Sequence, residues 1–307
     1  MKRILLTLAA SAAMMASAQA ANIGVSMALF DDNFLTVLRN GMQDAAKQAD
    51  GVTLQVEDAQ NDIGKQLNQI QNFIAQKVDG IIVNAVDTDA TAQMTKLATE
   101  AGIPLVYVNR QPADVEKLPE KVAFVGSDEK LSGTLQTQEV CKLMGGKGDI
   151  VVMMGELSNQ AARQRTQDVE DVIAKEPCTG IKILEKQTAN WQRTQATDLM
   201  TNWISAGLKP AAVVSNNDEM AIGAIQALKS AGMTDVIVAG IDATQDGLAA
   251  MKSGDLKVTV FQNAAGQGKG AIDTVQKLIK GETVEKVVDV PFELVTPANM
   301  AQYEAKN

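Results

Sequence analysis

The 307-residue chain contains no histidine. That absence removes Ser-His-Asp and Cys-His nucleophile systems, the HExxH zinc site and any imidazole proton shuttle. Basic residues are also scarce: 28 Lys and Arg stand against 37 Asp and Glu, giving a net charge of −9. DNA and RNA need a basic footprint, so no nucleic acid is expected as a partner. Aromatic residues make up 3% of the chain, so any that converge on one place are informative. Only two cysteines occur, Cys141 and Cys178, too few without histidine for a metal site. Neither a metal nor a cofactor is expected. The glycine clusters lack nucleotide-loop spacing. Gly145-Gly-Lys-Gly148 precedes a strand instead of following one, and Gly266, Gly268 and Gly270 miss the GxGxxG pattern, so both read as turn or helix-packing glycines.

Long hydrophobic runs are missing too. At the N-terminus Lys2 and Arg3 precede the apolar stretch Ile4 to Ala10, and small residues lead to Ala18-Gln19-Ala20. This is the pattern of a secretory signal peptide cleaved after Ala20, and it falls short of the ~20 apolar residues of a membrane span. Cleavage removes two basic residues and no acid, taking the charge from −9 to −11. The expected product is soluble, acidic and exported. In that setting the cysteine pair reads as one Cys141–Cys178 disulfide, with two buried free thiols as the alternative.

What is present is a regular alternation. Short β-branched runs near 23–28, 52–57, 80–84 and 105–109 alternate with amphipathic stretches at 34–49, 63–77 and 90–101. A second series follows, with strands at 149–154, 181–186, 212–215, 236–240 and 257–261. Its helices fall at 129–144, 160–175, 194–207, 219–231, 245–253 and 266–279. Such alternation predicts βαβ units around parallel sheets. The strands are too many for one open sheet, so the fold class is α/β with two doubly wound, Rossmann-like lobes. No Pro/Ser/Gly-rich linker separates them, which predicts lobes joined by several short crossings.

Ligands of open parallel sheets sit beyond the carboxyl ends of the strands. There the sequence carries Asp31-Asp32-Asn33-Phe34, Asn84, Asn109-Arg110, Glu156 to Arg165, Asn190-Trp191, Asn216-Asn217, Asp242 and Gln262. Carboxylates, carboxamides and guanidinium groups pair with hydroxyls, and rings cover apolar C–H faces.

The segments Phe34-Leu-Thr-Val-Leu-Arg-Asn-Gly41, Asn84-Ala-Val-Asp-Thr-Asp-Ala90 and Val108-Asn-Arg-Gln111 resemble periplasmic sugar-binding proteins of ABC importers, ribose-binding type. So do Ala161-Ala-Arg-Gln-Arg165, Asn217-Asp-Glu-Met-Ala-Ile-Gly-Ala224 and Gly240-Ile-Asp-Ala-Thr-Gln-Asp-Gly247. The likeness runs in order from about Asn22 to about Leu294. It implies a type I periplasmic binding protein fold with three hinge crossings, near Ser127, Gln262 and Pro291. One lobe would comprise residues 21–127 with 263–291, the other 128–262 with 292–307. The implied partners are a small sugar or polyol and a membrane permease, with a chemoreceptor as a further candidate; the implied state is a periplasmic monomer.

By the same resemblance the ligand residues fall on Asp32, Phe34, Leu35, Asn84, Asn109, Arg110, Arg165, Trp191, Asn217, Asp242 and Gln262, with Arg163 structural. Leu35 stands where ribose binders carry a second Phe, Asn109 where they carry Asp, and Trp191 where they carry Phe. Asp32, Asn109 and Trp191 resemble the glucose/galactose branch, while Arg110 and Gln262 keep the ribose pattern. Met154-Gly-Glu-Leu-Ser and Gln187-Thr-Ala-Asn-Trp191 resemble the inositol-binding branch. The expected ligand is therefore a neutral cyclic polyol, myo-inositol first, with ribose or an aldohexose behind it.

Plainer roles compete. Trp191 alone reads more readily as a core residue than as a stacking platform, Asn217 and Asp242 as helix caps, and Arg163 and Arg165 as solvated helix arginines, one of them in an ordinary ion pair with Asp242. Asp32 facing Asp242 would suit a glycosidase, although the amide-rich surroundings predict no acid with a raised pKa. A sugar-sensing repressor of the same fold is opposed by the signal peptide and the missing DNA-binding helices.

Overall fold

The computed structural model describes residues 20–306. The expected signal peptide lies outside them except for Ala20, as does Asn307. Two parallel sheets organise the chain. The first contains β1 (Ala21–Met27), β2 (Val52–Asp58), β3 (Gly80–Val83), β4 (Leu105–Val108) and β5 (Val122–Gly126), in the order β5-β4-β3-β1-β2. The second contains β6 (Lys147–Met154), β7 (Gly180–Thr188), β8 (Ala212–Ser215) and β9 (Ile237–Ala239), in the order β7-β6-β8-β9. Bridges Ala239–Val258 and Asp242–Phe261 carry that sheet on to β10 (Thr259–Phe261). Near the C-terminus β11 (Val287–Asp289) pairs parallel with β5, and β12 (Glu293–Val295) pairs antiparallel with β10.

Both faces of each sheet are covered, which is why the strands read as continuous apolar runs. Helices α1 (Asn33–Gln48), α2 (Ile63–Ala75) and α3 (Thr91–Glu100) follow β1, β2 and β3. Alternate residues serve opposite layers. Ile82, Val106 and Val108 pack with Leu38 and Met42 of α1, whereas Ile81, Leu105 and Tyr107 pack with Phe73 and Met94 of α2 and α3. In the second sheet Ile150 and Val152 meet α4 (Glu129–Met144) and α5 (Gln160–Ile173). Val151 and Met153 meet α6 (Arg193–Ser205), α7 (Asp218–Ser230) and α8 (Gln245–Lys252).

The chain passes between the sheets three times: at Ser127–Asp128 before α4, at Gln262–Asn263 after β10, and around Val290–Phe292 between β11 and β12. The second passage returns α9 (Ala264–Ile279) to the first sheet, where it packs on α1. Glycine sets that spacing. A Cβ at Gly268 would sit 2.7 Å from Leu38 O, and one at Gly41 would sit 2.8 Å from Ala265 Cα. The passages are tied together, since Ser127 Oγ donates to Val290 O (2.5 Å) and Gln267 Nε2 donates to Ser127 Oγ (2.9 Å).

Most elements fall within a few residues of the sequence expectation. Three strands were not anticipated. β5 is a buried Val-Ala-Phe-Val run that the alternation passes over, because only a single 3-10 turn at Val115–Lys117, and no α-helix, links it to β4. β11 and β12 have three residues each, and β12 is an antiparallel addition to an expected parallel sheet. Cys141 and Cys178 form a disulfide at a sequence separation of 37, joining the end of α4 to the loop before β7. Closing a loop of that length stabilises the fold by about 4 kcal/mol in the chain-entropy model.

Candidate functional site

The carboxyl ends of both sheets face one cleft, and the lobes meet along its rim. Asn33 Nδ2 donates to Glu219 Oε1 (2.7 Å), Asn61 Nδ2 to Glu156 (3.0 Å), and Arg163 Nη2 to Asp89 Oδ1 (2.9 Å). At the start of α5, Gln160 N donates to Thr88 Oγ1 and Thr88 N to Ser158 O. Arg163 is thus a rim residue outside the cavity.

Behind the rim lies a cavity lined by Asp32, Phe34, Leu35, Asn109, Arg110, Arg165, Trp191, Asn217, Asp242 and Gln262, joined by Glu129, Asn159 and Ala161. It encloses about 420 Å3 of non-atom space, mouths included. One expected residue is absent from its wall. Asn84 is fully buried behind Asn109, donating from Nδ2 to Val108 O (3.3 Å) and Asn109 Oδ1 (3.2 Å). It holds the Asn109 carboxamide by its oxygen.

Local backbone shapes aim these groups. Asp32 caps α1, with Oδ1 accepting from Leu35 N (2.8 Å), which seats Phe34 and Leu35 against the cleft. Asn109, Trp191 and Asp242 all have left-handed backbone, at φ +66°, +67° and +121°. The Trp191 indole lies so close over Gly155 that a Cβ there would come within 2.2 Å of it. Trp191 is therefore a cavity wall, although its ring also borders the core beneath α6. Asn217 combines two roles: Oδ1 caps α7 through Met220 N (3.0 Å), and Nδ2 holds Trp191 O (3.2 Å). Asp242 is not a cap; Thr244 Oγ1 performs that task for α8.

The guanidinium groups are braced. Arg110 Nη1 donates to Ala85 O (2.8 Å). Arg165 donates from Nε and Nη2 to Glu129 (2.8 and 3.0 Å), from Nη1 to Asn216 O (2.7 Å) and from Nη2 to Gln262 Oε1 (3.3 Å). Its Nη1 lies 3.9 Å from Asp242 Oδ1. Arg165 is 4% exposed, so the solvated-arginine alternative is excluded.

Among the described residues, Asn159 Oδ1 and Trp191 Nε1 are buried in the wall without a hydrogen-bond partner. Asn159 was not anticipated. Ser158-Asn159 before a helix signals an ordinary cap, yet its side chain caps nothing; Nδ2 reaches Val86 O of the facing lobe at 3.4 Å. Glu129 was equally missed, since an acid in the first turn of a helix normally needs no further reason.

The expectation of no acid with a raised pKa fails. Burial raises Asp32, partly offset by Leu35 N–H and Arg110, and burial raises Asp242 well above the usual range despite Arg165. Behind the wall, burial pushes Asp218 up to about 7, although Thr259 and Thr244 donate to it. Asp168 on α5 is pushed up to about 6, again by burial.

Two parallel-sheet lobes closed on a small, polar, ring-walled cavity define a solute-binding protein. Residues 23–283 match the periplasmic binding protein domain, and the chain belongs to that family. The family consists of binding proteins, not enzymes. A protein of Rhizobium meliloti described as a "Putative rhizopine-binding protein" is 62% identical over 309 aligned positions, covering 100% of both chains. The ribose import binding protein of Escherichia coli is 31% identical, over 94% of this chain and 95% of its own. An ABC transporter solute-binding protein from Bacillus halodurans, solved with bound myo-inositol, superposes with a TM-score of 0.90. It is 42% identical over 95% of this chain and 100% of its own. The sugar- or polyol-binding role in ABC import expected from the sequence therefore holds.

The raised carboxyls predict a pH dependence. Asp168 and Asp218 retain protons in the folded state up to about 6 and about 7, whereas unfolded Asp releases them near pH 4. The folded state binds more protons across that interval, so stability is greatest at the acid end and declines as pH rises. Thermal melts of ligand-free protein should show a higher midpoint at pH 5 than at pH 7.5, with Asp218→Asn flattening the difference. A lower midpoint at pH 5 contradicts this.

Proposed function

We propose that the protein captures a neutral cyclic polyol, myo-inositol first, in the periplasm and delivers it to the permease of an ABC importer. The observation that carries this reading is the pair of unsatisfied atoms of opposite kind in one cavity. Asn159 Oδ1 needs a donor and Trp191 Nε1 an acceptor, and a hydroxyl serves as either. Around them Asp32 and Asp242 accept, Arg110 donates, and the amides of Asn109, Asn217 and Gln262 offer both. Phe34, Leu35 and Trp191 supply apolar faces for the C–H groups of a single ring. The myo-inositol bound by the Bacillus halodurans protein supports the ring type. The 62% identity to the Rhizobium meliloti protein makes rhizopine the second reading.

In this reading residues 21–127 with 263–291 form one lobe and residues 128–262 with 292–307 the other. The signal peptide is removed after Ala20, the mature protein is a monomer, and a chemoreceptor is a further partner for the closed form. Unreduced protein from the periplasm, denatured and alkylated, should have the mass of residues 21–307 with no adduct at Cys141 or Cys178. A mass that includes residues 1–20 contradicts export with cleavage, and two adducts contradict the disulfide.

Calorimetry of ligand-stripped protein against myo-inositol, rhizopine, ribose, glucose, galactose and xylose tests the ligand. Losing a buried hydrogen bond to a charged group costs about 1.5–3 kcal/mol, so Asp242→Ala should weaken the bound polyol by roughly 10- to 100-fold. Tight binding of a pentose with none of myo-inositol or rhizopine overturns the ligand choice. No binding by any of them overturns the pocket assignment.

A further inference from the structure

Glu129 opens α4 directly after the chain leaves the first sheet through Ser127 and Asp128. An acid at such a place is ordinarily solvated, but Glu129 is 2% exposed and lines the cavity. Its two oxygens clasp Nε and Nη2 of Arg165, and Oε2 also accepts from Ser132 Oγ (3.0 Å). Gly133, four residues further along α4, brings the two helices together so tightly that a Cβ would lie 2.6 Å from Arg165 O. The clasp therefore has little freedom to drift.

Arg165 in turn reaches a residue beside every passage between the lobes. It pairs with Glu129 after the first, donates to Gln262 at the second, and lies with its guanidinium 5.8 Å from the Phe292 ring at the third. A second carboxylate competes for it, because Asp242 Oδ1 is 3.9 Å from Nη1. A guanidinium released from Glu129 would close that gap. A two-pronged Arg–carboxylate pair is strong and directional, and it would turn Asp242 away from a ligand hydroxyl.

We propose that Glu129 is a positioning residue: it anchors Arg165 to the hinge and thereby keeps its contact with Asp242 long, preventing it from tightening into a two-pronged pair in the binding cavity. This rests on the reading of the cavity as a polyol site, and it assigns Glu129 no direct contact with the ligand.

The test is a double-mutant cycle read by calorimetry with myo-inositol. Glu129→Gln should weaken binding at least tenfold in the otherwise unaltered protein, yet less than threefold in the Asp242→Asn background, where Arg165 has no cavity carboxylate at position 242 to capture. Glu129→Asp, which keeps the charge, should recover binding to within about fivefold of the unaltered protein. Equal losses in both backgrounds, or no loss from Glu129→Gln, overturn the proposal, because a merely structural residue gives the same loss in each. If Glu129→Gln does not fold, Glu129→Asp carries the same cycle, with about a threefold loss expected in the first background and none in the second. Failure of the unaltered protein to bind myo-inositol overturns the ligand reading alone, and the cycle is then run with rhizopine or ribose, whichever binds.

Discussion

The binding site depends on how parallel strands end. Each strand must turn from the sheet into the next helix within a few residues, and the side chains at that turn are the ones that face the cleft. At four of these turns, after β2, β4, β7 and β9, the chain adopts left-handed backbone on residues other than glycine, and Asn109, Trp191 and Asp242 are the ones that line the cavity. Such conformations cost about 1–3 kcal/mol each and persist only where their surroundings fix them. Here the surroundings do so. Asn109 N donates to Val125 O and Asp242 N to Val260 O, each from the neighbouring strand. Glycine would relieve the strain but would bring no carboxamide, indole or carboxylate to the cavity.

The two lobes use the same device at matching places. Asn109 follows β4 and Asp242 follows β9, and both meet in one cavity. The edge strands match as well. After β2 the chain runs Ala59-Gln60-Asn61, and after β7 it runs Ala189-Asn190-Trp191, with positive φ at the last two residues of each. The side chains then diverge in role. Asn61 bonds Glu156 across the rim, whereas Trp191 lies over Gly155 as a wall. One backbone solution thus yields a contact that holds the lobes and a wall of the cavity.

Much of this was legible in the sequence because the period and the positions are simple. Buried parallel strands read as short apolar runs, helices as amphipathic stretches, and the polar residues between them fall at the ligand-facing ends. What the sequence could not convey is direction. Asn84 and Asn109 both follow strands and look equivalent, yet Asn84 turns sideways to brace Asn109. Asn159 looks like a helix cap and instead lines the cavity, its oxygen buried without a partner. Glu129 looks like a charge favourable to a helix N-terminus and instead clasps Arg165. Each depends on a contact between residues distant along the chain, so neither spacing nor composition carries it. The raised carboxyls of Asp32 and Asp242 were missed for the same reason, since burial belongs to the closed cleft.

The central claim is that one ligand is shared by side chains of both lobes, so that binding favours the closed arrangement through its stronger contacts there. Small-angle scattering of ligand-free protein, before and after saturation with the polyol that binds it, measures this directly. A smaller radius of gyration at saturation is the predicted result. An unchanged radius at saturation would contradict the account.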